Sequence, residues 1–169
     1  MPAERGLNNE RNGSILGRIF PMKSFLTRCG GALAVLTLST TMALAKTGWS
    51  EDYAQSVAQG KAENKLVLVD FTGSDWCVWC KKLDSEVFST PEFKAYAKDH
   101  LVLMEADFPQ AKPQDSKTKA QNEKLQAKFN IQGYPTVIVL NSEGKPVGQL
   151  GYMEGGPKAF IAALEKLKK

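Results

Sequence analysis

Asp75-Trp76-Cys77-Val78-Trp79-Cys80-Lys81 is the stretch that decides how this chain reads. Cysteines at i and i+3 at the start of a helix share one side of its first turn, close enough to bond. A disulfide there closes a very small loop, constrains little of the unfolded ensemble, and is a poor structural staple. It is a good redox couple. Free N–H groups and the positive end of the helix dipole favour a thiolate on the first cysteine, and Lys81 and Lys82 add positive potential. Cys77 is therefore the expected nucleophile, and Cys80, one turn deeper, the residue that resolves a mixed disulfide. Zinc is the competing use of paired cysteines, but a closed structural site takes four ligands. The chain has a single histidine, His100, and no second Cys-x-x-Cys, so no metal and no other cofactor are expected.

Just upstream, Leu66-Val67-Leu68-Val69-Asp70-Phe71 is a continuous β-rich run, the mark of a central strand covered on both faces. Asp70 interrupts it. A buried carboxylate without a role is costly. Set beneath the helix start, with its pKa raised by burial, Asp70 would exchange a proton with Cys80 during resolution; a strand-end aspartate that meets water or caps a loop is the plainer alternative. Thr72–Asp75 reads as a loop, and the helix opening near Cys77 is expected to reach Val87 or Phe88.

Working outward, Ser50 is the expected N-cap of a helix running to about Glu63, its last turn weakened by Gly60. Pro91 opens another, carrying Phe93, Tyr96 and Ala97. Leu101–Asp107 is a second strand, Phe108–Lys117 a polar loop, Lys119–Phe129 a helix, and Thr136–Leu140 a third strand. Asn141-Ser142-Glu143-Gly144 turns the chain into a hairpin partner at Lys145–Leu150. Pro157 starts a final amphipathic helix with Phe160, Ile161, Leu164 and Leu167 inward. The sum is an α/β architecture: a central mixed sheet flanked by helices, closed by an antiparallel hairpin and a helix. Tyr134-Pro135-Thr136 fits a cis-proline turn that would set backbone groups beside Cys77, so that an extended substrate pairs as an extra strand; an ordinary strand-start proline is the alternative. Trp76 and Trp79 would form an apolar rim for peptide substrates, or else pack as core aromatics.

The chain has 169 residues, 43% hydrophobic and 24% charged, ordinary for a globular protein. Its net charge of +4 is concentrated at the N-terminus: residues 1–45 hold five basic and two acidic residues, which leaves 17 and 16 of the chain's 22 and 18 for residues 46–169. That balance, with no basic stripe, argues against a nucleic-acid partner. Lys23 and Arg28, the apolar run Gly30–Leu38 and Ala43-Leu44-Ala45 read as a signal peptide over 22–45, with a start at Met22 and cleavage before Lys46. An uncleaved anchor is the alternative, but the threonine-diluted run falls short of the roughly 20 apolar residues a span needs. Cys29 is expected to leave with the signal. The remaining 46–169 is one domain, large enough to fold without a disulfide.

Together, Val69-Asp70-Phe71, Trp76-Cys77-Val78-Trp79-Cys80-Lys81, Gly133-Tyr134-Pro135-Thr136 and the hairpin ending in Gly151 resemble the thioredoxin superfamily over roughly residues 49–169. The likeness is greatest to exported bacterial thioredoxin-like proteins carrying Gly-Ser-Asp-Trp-Cys-x-Trp-Cys. The resemblance implies a thioredoxin-like fold and dithiol–disulfide exchange, with Cys77 and Cys80 catalytic and Pro135 shaping the substrate groove. Val78-Trp79 stands where thioredoxins themselves have Gly-Pro, Gly73-Ser74-Asp75 lengthens the loop after Asp70 by one residue, and Phe108–Lys117 is enlarged. The chain is thus expected to be a periplasmic or secreted oxidoreductase, a monomer acting on cysteine-containing exported proteins or peptides and recycled by a membrane electron donor or acceptor. A binding or chaperone module with an incidental or regulatory disulfide is the reading from another class.

Overall fold

The computed structural model describes residues 46–168; the expected signal peptide at 22–45 and Cys29 lie outside them. Five strands, β1 (Trp49–Ser50), β2 (Leu66–Thr72), β3 (Leu101–Asp107), β4 (Thr136–Leu140) and β5 (Pro146–Leu150), form one mixed sheet in the order β1-β3-β2-β4-β5. β3 runs parallel to both β1 and β2, whereas β4 is antiparallel to β2 and to β5. The helices are α1 (Tyr53–Glu63), α2 (Val78–Leu83), α3 (Pro91–His100), α4 (Ser116–Lys128) and α5 (Gly156–Leu167).

Alternation along β2 sorts the core into two layers, because successive side chains in a strand point to opposite faces. Val67, Val69 and Phe71 pack with Val102, Met104 and Ala106 of β3, Leu125 of α4 and the half-buried Tyr53 and Val57 of α1. Leu68 faces the other way, toward Leu83, Phe88, Phe93 and Phe160 from the α2, α3 and α5 side. Gly60 permits the close approach of α1 to the sheet: a Cβ there would lie 2.5 Å from a Val67 methyl. The residue that weakens the helix is the one that lets it dock.

Three local expectations need correction. Ser50 does not cap α1; it pairs with Met104 as part of β1, and Asp52 caps instead, accepting the Gln55 N–H at 2.9 Å. The helix after Cys77 is not α-helical to its end. Beyond Leu83 it widens into a π-helical turn over Asp84–Phe88, closed by the Ser89 N–H on the Asp84 carbonyl at 2.7 Å. Helix α4 starts at Ser116, three residues earlier than Lys119, because Asp115 caps it by accepting the N–H groups of Lys117 and Thr118.

Candidate active site

Strand β2 delivers the chain to the C-terminal edge of the sheet, where Gly73 turns it into the redox segment. The Gly73 carbonyl accepts the N–H of Trp76 at 3.2 Å and of Cys77 at 2.8 Å. Glycine is required by a close approach: a Cβ would sit 2.4 Å from the Trp76 indole, which is itself tied by its Nε1–H to the Phe108 carbonyl at 2.8 Å. Cys77 then occupies the N-cap of α2, with extended φ and ψ, and its Sγ accepts the Cys80 N–H at 3.2 Å. Cys77 and Cys80 are joined as a disulfide with their Cα atoms 5.3 Å apart. A sulfur in the N-cap position takes an amide that an N-cap oxygen takes in other helices. The same amide is in place for a thiolate once the bond is reduced.

The two cysteines face different surroundings. Cys80 lines a cavity of about 700 Å³ together with Asp70, Thr72, Glu105 and Asp107 from the strand ends and Lys46 and Asp84. Asp70 is 4% exposed, and its Oδ1 has no hydrogen-bond partner. Burial pushes its pKa up to about 8; Lys46 opposes the rise, while Glu105, Asp84 and Asp107 add to it. Glu105 is also raised, again chiefly by burial and against Lys46. Lys46 makes an ion pair with Asp84 and lies over the rings of Trp49 and Phe88.

Around Cys77 the surface is apolar. Trp76, Val78 and Trp79 are 40%, 73% and 54% exposed, so the tryptophans form a rim and do not belong to the core. Trp76 meets Tyr134 edge-on at 5.8 Å, which joins the redox loop to the loop before β4. The Tyr134–Pro135 peptide is cis, and the Pro135 carbonyl lies 3.5 Å from where a Gly151 Cβ would be. Trp79 packs on Tyr152 at 5.1 Å, with the Lys82 ammonium over both rings. Lys81 donates to the Asp75 carbonyl at 2.7 Å. Both lysines, expected to supply positive potential to Cys77, are thus engaged with other partners.

Sequence reasoning passed over the residues that hold this edge together. The Asp75 carboxylate accepts the backbone N–H groups of Gln110, Ala111 and Lys112. Burial acts against its ionisation, but these donors hold it below the ordinary aspartate value. Asp107 accepts from the Ser74 N–H at 2.8 Å and hydroxyl at 2.6 Å. The enlarged loop after β3 is therefore bolted to the redox loop. Lys46, Glu105 and Asp107 were not singled out from the sequence; the alternation Leu101, Leu103, Glu105, Asp107 along one face of β3 is the signal that could have found the last two.

A mixed five-stranded sheet with a Cys-x-x-Cys disulfide at the start of α2 defines a thioredoxin-type oxidoreductase. A sequence profile of the thioredoxin-like domain family matches residues 53–168. The chain belongs to that family, and its Cys77–Cys80 pair makes it a thiol–disulfide oxidoreductase. It is 34% identical over 128 residues to the disulfide bond reductase DsbH of Chlamydia pneumoniae, covering 76% of each chain. A solved structure of a DsbH oxidoreductase superposes with a TM-score of 0.68 at 32% identity, over 78% of this chain and 91% of that one. The thiol:disulfide interchange protein DsbD of Vibrio cholerae is 35% identical over 92 residues, which is 54% of this chain but only 14% of that protein.

Proposed function

We propose that this protein reduces or exchanges disulfides in cysteine-containing exported proteins or peptides, in the periplasm or outside the cell, and is recycled by a membrane electron donor. The observation that carries the reading is the asymmetry of the pair: Cys80 opens onto the Asp70 cavity, while Cys77 sits at the helix start among exposed aromatics. The likeness to a protein named a disulfide bond reductase favours the reducing direction, and the signal-like stretch at 22–45 favours export.

In the reduced protein the Cys77 thiolate attacks a substrate disulfide, forming a Cys77–substrate bond and expelling one substrate thiolate. Asp70, as carboxylate, takes the proton from the Cys80 thiol. The Cys80 sulfur then attacks Cys77 Sγ, closing the disulfide seen here and releasing the second substrate thiol. Two electrons pass to the substrate, and the donor that reopens Cys77–Cys80 restores them. A carboxyl with a pKa near 8 is well matched to a thiol for this exchange. Trp76, Trp79, Tyr134 and Pro135 are assigned to the substrate groove, where apolar side chains flanking a cysteine would dock.

The reduction potential of Cys77–Cys80, equilibrated against a thiol buffer, tests the direction. A value of about −270 mV fits a reductant, and one of about −120 mV overturns the reducing assignment in favour of an oxidant. The variant Cys80→Ser is expected to accumulate substrate mixed disulfides at Cys77. Adducts forming instead on Cys80 in Cys77→Ser would reverse the two roles.

A further inference from the structure

Asp70 and Glu105 are register partners on the parallel strands β2 and β3, so they project to the same face across a strand spacing of roughly 4.8 Å. Their sequence neighbours confirm the orientation: Val69, Phe71, Met104 and Ala106 all belong to the opposite layer. Both carboxyls line the cavity that Cys80 also lines. They differ in solvent access, Asp70 being buried with an unpartnered Oδ1 and Glu105 half-buried. Two carboxyls this close do not ionise independently. The charge settles on the wetter one and the proton on the drier.

We propose that Glu105 is a positioning residue for Asp70: from the neighbouring strand its carboxylate keeps the proton on Asp70 in the oxidised protein, and so sets the pH at which Asp70 becomes free to accept one from Cys80. This rests on the role given to Asp70 above. The other charges at the cavity do not replace Glu105. Asp107 is held by Ser74, and Asp84 is paired with Lys46. Lys81 and Lys112 are turned to the Asp75 carbonyl and the Ser74 hydroxyl, and Glu51 and Asp115 complete the lining from β1's end and the α4 cap. Lys46 acts in the opposite sense to Glu105, favouring the ionised form of both carboxyls.

The test is a carboxyl carbon-13 NMR titration of Asp70 in the oxidised full chain, with the pH dependence of mixed-disulfide resolution measured alongside. Wild type is expected to titrate near 8. Glu105→Gln, which keeps the shape and removes the charge, should lower that midpoint by roughly one pH unit and move the resolution profile with it. Glu105→Asp, which restores a charge, should bring the midpoint back toward wild type, and Lys46→Gln should raise it. A midpoint that stays put in Glu105→Gln, or rises, overturns the proposal. So does a fall that Glu105→Asp fails to reverse, which would mark a packing effect. If the midpoints move as expected but the wild-type protein reduces no disulfide, the Glu105 assignment stands and the functional reading above falls.

Discussion

Strands β2 and β3 present two faces built on the same register. On one, the pairs Val67–Val102, Val69–Met104 and Phe71–Ala106 are apolar from end to end beneath α1 and α4. On the other, Leu66–Leu101 and Leu68–Leu103 begin the same way, but Asp70–Glu105 and Thr72–Asp107 turn the pattern polar where the redox helix starts. The closed face is a continuous layer of buried side chains. The open face holds a buried acid, a costly arrangement, beside Cys80 in the cavity. Alternation lets β2 give one face wholly to packing, while the other packs through Leu66 and Leu68 and then ends in Asp70 and Thr72 at the cavity.

The sharpest way to separate the faces is to remove chemistry from one and packing from the other. Cys77→Ser should abolish turnover on a disulfide substrate, a loss on the order of a thousandfold or more, with little change in the denaturation midpoint of the reduced protein. Phe71→Ala should do the reverse: about 3–5 kcal/mol of stability lost in chemical denaturation, with the Cys77–Cys80 potential unmoved. A large change of potential in Phe71→Ala would break the comparison, because the closed face would then be tuning the site directly.

Asp70→Asn probes the cost carried by the open face. The folded pKa of Asp70, about 8, lies above its ordinary 3.8, so folding takes up a proton. Stability is therefore full below about pH 4, falls as pH rises from about 4 to about 8, and is level above that. Asn carries no such penalty. The variant should gain up to about 5 kcal/mol over wild type at pH 8 in urea denaturation, and the gain should vanish near pH 3. Equal stability at every pH would show that Asp70 is hydrated and the cavity is not a low-dielectric site. The same variant should slow mixed-disulfide resolution by roughly ten- to a hundredfold.

The closed face was the more legible of the two. Leu101–Asp107 and Thr136–Leu140 end where the sequence placed them, because β-branched and apolar runs bounded by polar residues leave little choice of boundary. The redox pair and Asp70 were legible from spacing and from the cost of a charge inside an apolar run. Strand β1 was not, since Trp49 and Ser50 are extended only because β3 offers them an edge. Nor was the π-helical turn that aims Asp84 at the cavity, as nothing in Asp84-Ser85-Glu86-Val87-Phe88 distinguishes it from an α-helix. The partnership of Asp70 with Glu105 depends on register, which is fixed by packing between segments 35 residues apart.

The smallest expected effect concerns the loop that closes the open face. Asp75 was legible only as a loop residue, because its partners lie 35–37 residues away along the chain. Its carboxylate gathers the amides of Gln110, Ala111 and Lys112, and the same loop contributes Pro109, Lys112 and Pro113 to the wall of the cavity. Asp75→Ala deletes the acceptor those amides share, but removes nothing from the sheet or from the disulfide. The fold should be intact, while amide hydrogen exchange at 110–112 speeds up by about tenfold or more. If the loop shields Asp70 from solvent, the Asp70 midpoint should also fall toward the ordinary aspartate value as water enters. Faster exchange with an unmoved midpoint would mean that the strands and α2 alone keep Asp70 dry, confining the boundary between the faces to the sheet itself.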